Sequence, residues 1–484
     1  MKTEKLKQNV KGYVQQFEDG GLRLLRKGQK GVIHAIFSRF GLVLILLLLQ
    51  VGLLFSIFRW FGNLWPHYFG GSVVVTSAMV IYLLNSKMDN SAKITWMVVV
   101  AIAPVVGIPM FFYVKSNFGH NILRKRLLEL EDQLRGWLPQ SQKAVEQLKA
   151  LEPGAASLAK YLYGRGGGFP VYQNTAMTYF PGGEAKFEEL LRQLETAEEY
   201  IFVEYFIIDE GLMWGKILEV LARKALQGVD VRVMYDGTCE FSTLPRNYPR
   251  LLEKLNIQCK VFSPVQPFVS THYNYRDHRK ILVIDGRVGF TGGVNLADEY
   301  INHIQKHGRW KDAAVMLEGE AVRSLTAQFL QMWGILKEPE YEQFLTRPIP
   351  VPENARGVAA PYGDCPLDGE RVGEMVYIDL LNRARDYIHI MTPYLILDGE
   401  LETALKFAAE RGVDVHLILP GKPDKQFPYA LAKSHYSALL DSGVKISEWS
   451  PGFVHAKVFV VDGREAADRK STRLNSSHLY ISYA

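Results

Sequence analysis

Cysteine is scarce. Cys239, Cys259 and Cys365 stand apart in 484 residues, with no C-x-x-C pair and no Cys/His spacing, which excludes a disulfide framework and a structural zinc site. They read as small buried hydrophobes. A charge excess is missing too: 56 basic and 51 acidic residues leave a formal net charge of +5, too little for a nucleic-acid binder, so no nucleic-acid partner is expected. No small-residue cleavage site follows the first apolar run and almost 40 residues precede it, so a secretory signal does not explain that run. Apolar residues, at 48%, are plentiful beside 22% charged ones, which excludes disorder as the dominant state. At about 150 residues per domain the length suggests roughly three units.

The apolar residues are concentrated. Residues 40–58 carry no charge over 19 positions, about 28 Å of helix against a hydrocarbon core of about 30 Å. A second stretch, 68–84, follows the aromatic cluster Trp60, Phe61, Trp65, Tyr68 and Phe69, which suits an interfacial belt, and it either spans or re-enters. The third, 94–114, lies between Lys93 and Lys115 and holds Pro104, Gly107 and Pro109; it is counted as a span, because neighbouring helices can re-satisfy carbonyls freed by proline. Residues 40–115 are therefore expected to be a membrane anchor of two or three transmembrane helices. Lys2, Lys5, Lys7, Lys11, Arg23, Arg26, Lys27, Lys30 and Arg39 outnumber Glu4, Glu18 and Asp19 ahead of it, placing residues 1–39 in the cytoplasm near anionic lipid. Leu127, Leu128, Leu130, Leu134 and Leu138 recur at helical spacing within residues 123–151, predicting an amphipathic linker helix (domain 116–152) that Pro153 and Gly154 end.

The remainder repeats itself. Residues 187–237 run helix, apolar strand (IFVEYFII), helix, strand (VDVRVMYDG), and residues 374–421 run helix, strand (IHIMTPYLIL), helix, strand (VDVHLILPG). Buried strands alternating with amphipathic helices imply βαβ units, and two copies imply two similar α/β lobes. Gly228-Val229-Asp230-Val231 echoes Gly412-Val413-Asp414-Val415, each glycine placed as a helix C-cap. The proline-rich stretch 348–361 is the expected connector.

Each lobe then carries H-x-K-x4-D: His278, Lys280 and Asp285 in the first, His455, Lys457 and Asp462 in the second. On a strand, positions i and i+2 share a face, so each His and Lys project together. Packed about a pseudo-twofold axis, two imidazoles and two ammoniums would meet in one pocket. Such a pocket suits phosphoryl transfer by covalent catalysis without metal or cofactor: one neutral imidazole attacks phosphorus, the other protonates the leaving oxygen, and the lysines offset phosphate charge. Asn295, after Thr291-Gly292-Gly293, is a candidate phosphate donor. Asp285 and Asp462 are candidates for the same site, although an Asp-Gly pair after a buried strand is equally an ordinary turn. Glu204, acidic in an otherwise apolar strand, either orients a histidine or sits at a lobe interface.

With both His-Lys-Asp motifs present, the chain resembles the phospholipase D superfamily, and over residues 40–467 its bacterial cardiolipin synthase branch. Lys93-Ile94-Thr95-Trp96, Glu204-Tyr205-Phe206 with Asp209, Trp310-Lys311-Asp312, Thr392-Pro393-Tyr394 and Gly452-Phe453-Val454-His455-Ala456-Lys457 carry the likeness. It implies two pseudo-twofold phospholipase D-type lobes, mixed sheets flanked by helices, at 153–347 and 348–467, behind the anchor in a bacterial cell membrane. It also implies transfer of a phosphatidyl group from one phosphatidylglycerol to another, releasing glycerol, with His278 as nucleophile and His455 as acid/base. Water or serine as acceptor would instead give a phospholipase D or a phosphatidylserine synthase.

One departure is large. Where the family continues with a further strand carrying Gly-Thr and Asn, residues 468–484 read DRKSTRLNSSHLYISYA, which resembles an in-frame translation of a short-read sequencing adapter. The second lobe is therefore expected to be truncated, lacking its last strand, its phosphate-binding Asn and a covered sheet edge. An inactive membrane scaffold is the corresponding alternative.

Overall fold

The computed structural model describes residues 14–16, 22–24, 52, 65–86, 88, 90–115, 118–263, 276–335, 337–365, 367–468 and 476–482. The chain divides into two compact units, residues 27–121 with 266–271, and residues 1–26, 122–265 and 272–484.

In the smaller unit, α1 (Trp65–Asn85), α2 (Asn90–Ile102) and α3 (Pro104–Lys115) pack together. Their core is Met79, Leu83, Val100 and Phe111, with Trp96 edge-on to Phe111 at 5.2 Å. The third apolar stretch is not one straight span. It breaks at Ala103, where Pro104 has no N–H to give, and folds back so closely that a Cβ on Gly107 would lie 3.0 Å from the Val99 carbonyl oxygen. Its arms of 13 and 12 residues reach about 20 and 18 Å, short of a core of about 30 Å. The second stretch lies within α1, and the first lies outside the described residues. Among the described residues no helix is long and apolar enough to cross a membrane.

In the larger unit, residues of the basic N-terminal segment form a short antiparallel ladder of β1 (Val14–Gln16) and β2 (Leu22–Leu24). The expected linker helix is two: α4 (Phe118–Arg135) and α5 (Gln142–Leu151), parted around Pro139, with the Ser141 hydroxyl accepting from Ala144 N to cap the second. Leu127, Leu134, Leu138, Ala144 and Leu148 sit in the main core, so the segment is part of the two-lobed body. The helix α6 (Ala155–Gly164) follows.

The first lobe contains β3 (Thr175–Phe180), α7 (Gly183–Leu194), β4 (Tyr200–Tyr205), α8 (Leu212–Leu226), β5 (Asp230–Asp236), β6 (Gln258–Phe262), β7 (Lys280–Ile284), β8 (Val288–Gly292), β9 (Arg309–Lys311), β10 (Ala314–Gly319) and α9 (Val322–Trp333). The second contains β11 (Val358–Asp364), α10 (Val372–Arg383), β12 (Tyr387–Met391), α11 (Gly399–Glu410), β13 (Asp414–Pro420), α12 (Gln426–Ser434), β14 (Lys445–Trp449), β15 (Gly452–Val454), β16 (Val458–Val461), β17 (Glu465–Asp468) and β18 (Ser476–Ser482). The sheets match strand for strand, β3-β10-β8-β7-β4-β5-β6 and β11-β18-β17-β16-β12-β13-β14. In each, two parallel pairs join an antiparallel half. Gly228 and Gly412 take φ of 98° and 96°, and each following valine N–H returns to the helix, Val229 to the Lys224 carbonyl and Val413 to the Ala408 carbonyl, the left-handed cap that glycine permits. The connector's end enters β11, an edge strand in which Pro361 is tolerated.

Odd and even positions of β4 separate two cores. Ile201, Val203 and Tyr205 face α7 and α8, while Tyr200 and Phe202 face a core shared by α9 and the second lobe. The helix α9 is buried from end to end except at Arg323, and Phe329 stacks on Phe202 at 4.4 Å.

The expected open slot in the second sheet is occupied. Residues 476–482 supply β18, which pairs antiparallel with β11 on one side and β17 on the other, the place β10 holds in the first sheet. Tyr480 is 1% exposed, and its hydroxyl donates to Glu465. The physical reason is that two strand edges present unpaired backbone groups which any alternating segment of suitable length can satisfy. Replacing Tyr480 by Ala removes a buried ring and should cost about 3 kcal/mol in denaturant unfolding; a loss under about 1 kcal/mol would show that the segment does not fill the slot.

Candidate active site

The first motif sits where β7 begins. His278 packs edge-on against Phe206 at 4.4 Å, its Nδ1 buried. Lys280 is 1% exposed, and its Nζ donates to the His278 carbonyl at 3.0 Å, 5.3 Å from the Phe206 ring centre. The second motif repeats this at the entry to β16, where Lys457 Nζ donates to the His455 carbonyl. Burial pushes the Lys457 ammonium down to about 8, against the pull of Asp312, Asp468 and Asp424.

His455 is held by the other lobe. The strand β15, just ahead of it, pairs parallel with β9 of the first lobe, and His455 N and Ala456 N both donate to the Lys311 carbonyl, at 2.7 and 3.2 Å. His455 Nδ1 then donates to Asp312 Oδ2 at 2.6 Å. Asp312 has no exposed surface; burial alone would raise its carboxyl, but His455 and Lys457 hold it below the usual carboxylate range. A carboxylate can only accept, so His455 Nδ1 carries the proton and Nε2 is left to exchange one. The approach depends on Gly293, since a Cβ there would lie 1.9 Å from Asp312 Oδ1. Sequence reasoning passed over Asp312 as part of a family string; the glycine pair Gly292-Gly293 was the signal that something large closes on that turn.

A chain of contacts joins the histidines. Phe206 touches His278; the next residue, Ile207, donates its N–H to Asn295 Oδ1 at 3.2 Å; Asn295 Nδ2 donates to the Tyr300 hydroxyl at 2.6 Å; and Tyr300 packs edge-on against His455 at 5.3 Å. Both ends of the Asn295 amide are thus engaged in bracing the site. Lys186, on α7, is a second residue the sequence did not announce. Wholly buried, it donates to the Tyr205 hydroxyl at 2.9 Å and the Val294 carbonyl at 3.3 Å, and burial pushes its ammonium down to about 7 although Asp312 and Asp468 pull the other way.

Three expected site residues lie elsewhere. Asp285 is at the far end of β7 from His278, in a turn with φ of 50° at Asp285 and 66° at Gly286, and its carboxylate accepts from the N–H groups of Glu198, Glu199 and Tyr200. Asp462 repeats this with Arg385, Asp386 and Tyr387, at the same φ values. Both carboxylates are spent on the entry of the neighbouring strand, so they are corrected from catalytic candidates to structural ones. Glu204 is on the opposite face of the sheet from Lys280, 3.9 Å from Arg279, with burial first and Asp277 second pushing its carboxyl up. Arg279 in turn donates to the Gln328 carbonyl at 2.8 Å. Glu204 therefore faces Arg279 and Asp277 rather than either motif histidine.

The second lobe does not mirror the first here. Between β8 and β10 lie residues 293–313, which carry Asn295 and Asp312; between β17 and β18 lie only residues 469–475. No described residue stands as counterpart to either.

Two matched α/β lobes with one His-x-Lys pair each, brought together through a shared ladder, define the phospholipase D-like class. A family model described as "Cardiolipin synthase, PLD-like domain" matches residues 190–333 and 377–478. The chain is 35% identical to a cardiolipin synthase of Geobacillus kaustophilus, over 83% of this chain and 81% of that one. It is 32% identical to a cardiolipin synthase of Alkalihalophilus pseudofirmus, over 84% of each. An uncharacterized protein of Streptococcus mutans is 55% identical over 80% of this chain and 84% of its own length. The phosphatidylserine synthase of Haemophilus influenzae superposes with a TM-score of 0.47 at 13% identity, covering 65% of this chain and 84% of that one. The chain belongs to the cardiolipin synthase family of phospholipase D-like proteins.

Lys186 yields a pH signature of the site. Its folded pKa lies below the ordinary lysine value, so between about pH 7 and 10 the unfolded chain binds the extra proton and stability rises with pH. Lys186→Met should flatten that rise in denaturant melts taken across the window. Parallel wild-type and variant curves would show that the buried amine carries no such shift.

Proposed function

We propose that the chain is a membrane-attached phosphatidyltransferase that converts two phosphatidylglycerol molecules into cardiolipin and glycerol. His278 Nε2 attacks phosphorus, forming a P–N bond as the bond to the head-group glycerol oxygen breaks, and that oxygen takes the proton of His455 Nε2. The terminal hydroxyl of the second phosphatidylglycerol then gives its proton to His455 Nε2 and attacks phosphorus, breaking the P–N bond. Lys280 and Lys457 offset the charge on the phosphoryl oxygens. The observation that carries this reading is the buried Asp312–His455 pair, which fixes the tautomer and orientation an acid/base imidazole needs. The family membership supports the substrate, and the uncharged run 40–58 with the exposed Val73, Val74, Val75, Ile94, Val98 and Ile102 of the smaller unit supports attachment to a bacterial membrane.

A second reading rests on the short segment 469–475: without counterparts of Asn295 and Asp312 in the second lobe, this chain would be a silent scaffold. Mass spectrometry of lipids after incubation with phosphatidylglycerol separates the two. The transferase gives cardiolipin plus glycerol, abolished in His278→Ala and His455→Ala. In Asp312→Asn, turnover should fall by about 10²–10⁴ with the fold retained. Phosphatidic acid alone would move the reading to hydrolysis, and no product at all would establish the scaffold. Resistance of the full chain to carbonate extraction from membranes is expected for an integral anchor; release into the supernatant would overturn it.

A further inference from the structure

The second lobe bears an apolar and basic surface that neither the fold nor the chemistry uses. On α12, Phe427 is 81% exposed, and Leu431, one turn on and on the same face, is also exposed. Lys422 and Lys425 precede that helix and Lys433 lies near its end, all exposed, against one acidic residue in the segment, Asp424. Asp424 accepts from the Tyr394 hydroxyl at 2.7 Å and lies 4.0 Å from the Lys425 ammonium, and Lys433 lies 3.9 Å from Glu448, so the basic residues still outnumber the acidic ones on this surface. Cations are added from the first lobe, where the exposed Lys306 and Arg309 flank Gly308, whose Cβ position lies 3.2 Å from Lys422 Cδ. Ile304, 44% exposed, belongs to the same loop.

This surface is tied directly to the site. Lys422 N donates to the Gly452 carbonyl at 3.1 Å, Tyr394 packs against Phe453 at 6.2 Å, and Phe453 packs against His455 at 6.1 Å. Phe453 and Tyr394 thus lie between the acid/base histidine and Asp424, two residues ahead of the exposed helix.

We propose that Phe427, Leu431, Lys422 and Lys425 form an interfacial foot that docks the second lobe onto an anionic lipid bilayer, independently of the N-terminal anchor. Apolar side chains on one helix face, flanked by ammoniums, are what an anionic interface accepts: the rings and chains enter the acyl boundary and the lysines meet head-group phosphates. A water-facing helix gains nothing from an almost fully exposed phenylalanine. The proposal rests on a lipid substrate, for it keeps the site mouth at the surface that supplies one.

The test reads contact rather than turnover, so it stands apart from the activity assay. The full chain carrying Phe427→Cys is labelled with an environment-sensitive fluorophore and reconstituted into vesicles of equal phosphatidylglycerol and phosphatidylcholine. The native thiols leave the new cysteine as the reactive one, because burial pushes Cys239 and Cys365 up to about 12 and Cys259 further. The label should be quenched by lipid-borne nitroxide and shielded from aqueous iodide, and Leu431→Cys should report the same. Removing two ammoniums, Lys422→Gln with Lys425→Gln, should lower the shielded-to-exposed ratio by about thirtyfold. A label open to iodide in the anionic vesicles overturns the proposal, as does equal shielding in pure phosphatidylcholine. An inactive chain that still shows shielding would refute the transferase reading and leave the foot intact.

Discussion

A carboxylate with no exposed surface is expensive, and Asp312 can stay ionised only because the opposite lobe delivers His455 and Lys457 to it. Much of the site's architecture follows from that one contact. Gly293 leaves room for it, the β9–β15 ladder sets its register, and the Lys311 carbonyl receives the two N–H groups that begin the second motif. The lobes are therefore not two similar halves resting together. The first builds the partner of the second lobe's histidine, and removing that partner would strand a buried imidazole as surely as the reverse would strand a buried carboxylate.

The spacing of the H-x-K-x4-D motif has a structural explanation. Lysine opens a five-residue strand, 280–284, and aspartate closes it, binding three N–H groups where the neighbouring strand begins. The interval is a strand length, so the motif joins chemistry at one end to folding at the other. Spacing alone reveals that the three residues belong to one unit; it does not reveal that the third faces away. The same blindness applies to Glu204, whose strand was readable and whose face was not, since a strand buried on both sides shows no alternation to read.

The two lobes were legible because helix and strand periods repeat in register and the C-capping glycines repeat with them. What was not legible depended on contacts between distant segments. Leucines at helical spacing across 123–151 look the same in one helix as in two, and only the packing of α4 and α5 on a shared core reveals the break. The stretch 94–114 reads as a span by hydropathy, yet Pro104 and Gly107 together favour a turn back, one by removing a donor and the other by admitting a carbonyl. Asp312 sits 143 residues from His455, beyond the reach of any local pattern.

The tail separates completing a sheet from completing a site. Closing the slot between β11 and β17 asks for a backbone with alternating sides, and Ser476–Ser482 provides one, burying Tyr480 and Ile481. Hydrogen bonds of the main chain are indifferent to side-chain identity, so this segment can complete the layer whatever its side chains. The site makes a stricter demand. In the first lobe it takes residues 293–313, 21 positions, to bring an amide and a carboxylate to defined points; residues 469–475 offer seven. Seven extended residues reach about 25 Å at most, enough to turn between strands and too few to carry a counterpart of the loop that holds Asn295, Tyr300 and Asp312. Fold and site thus part at this junction: the sheet is closed because it needs only a strand, and the site is not symmetric because it needs particular atoms in particular places.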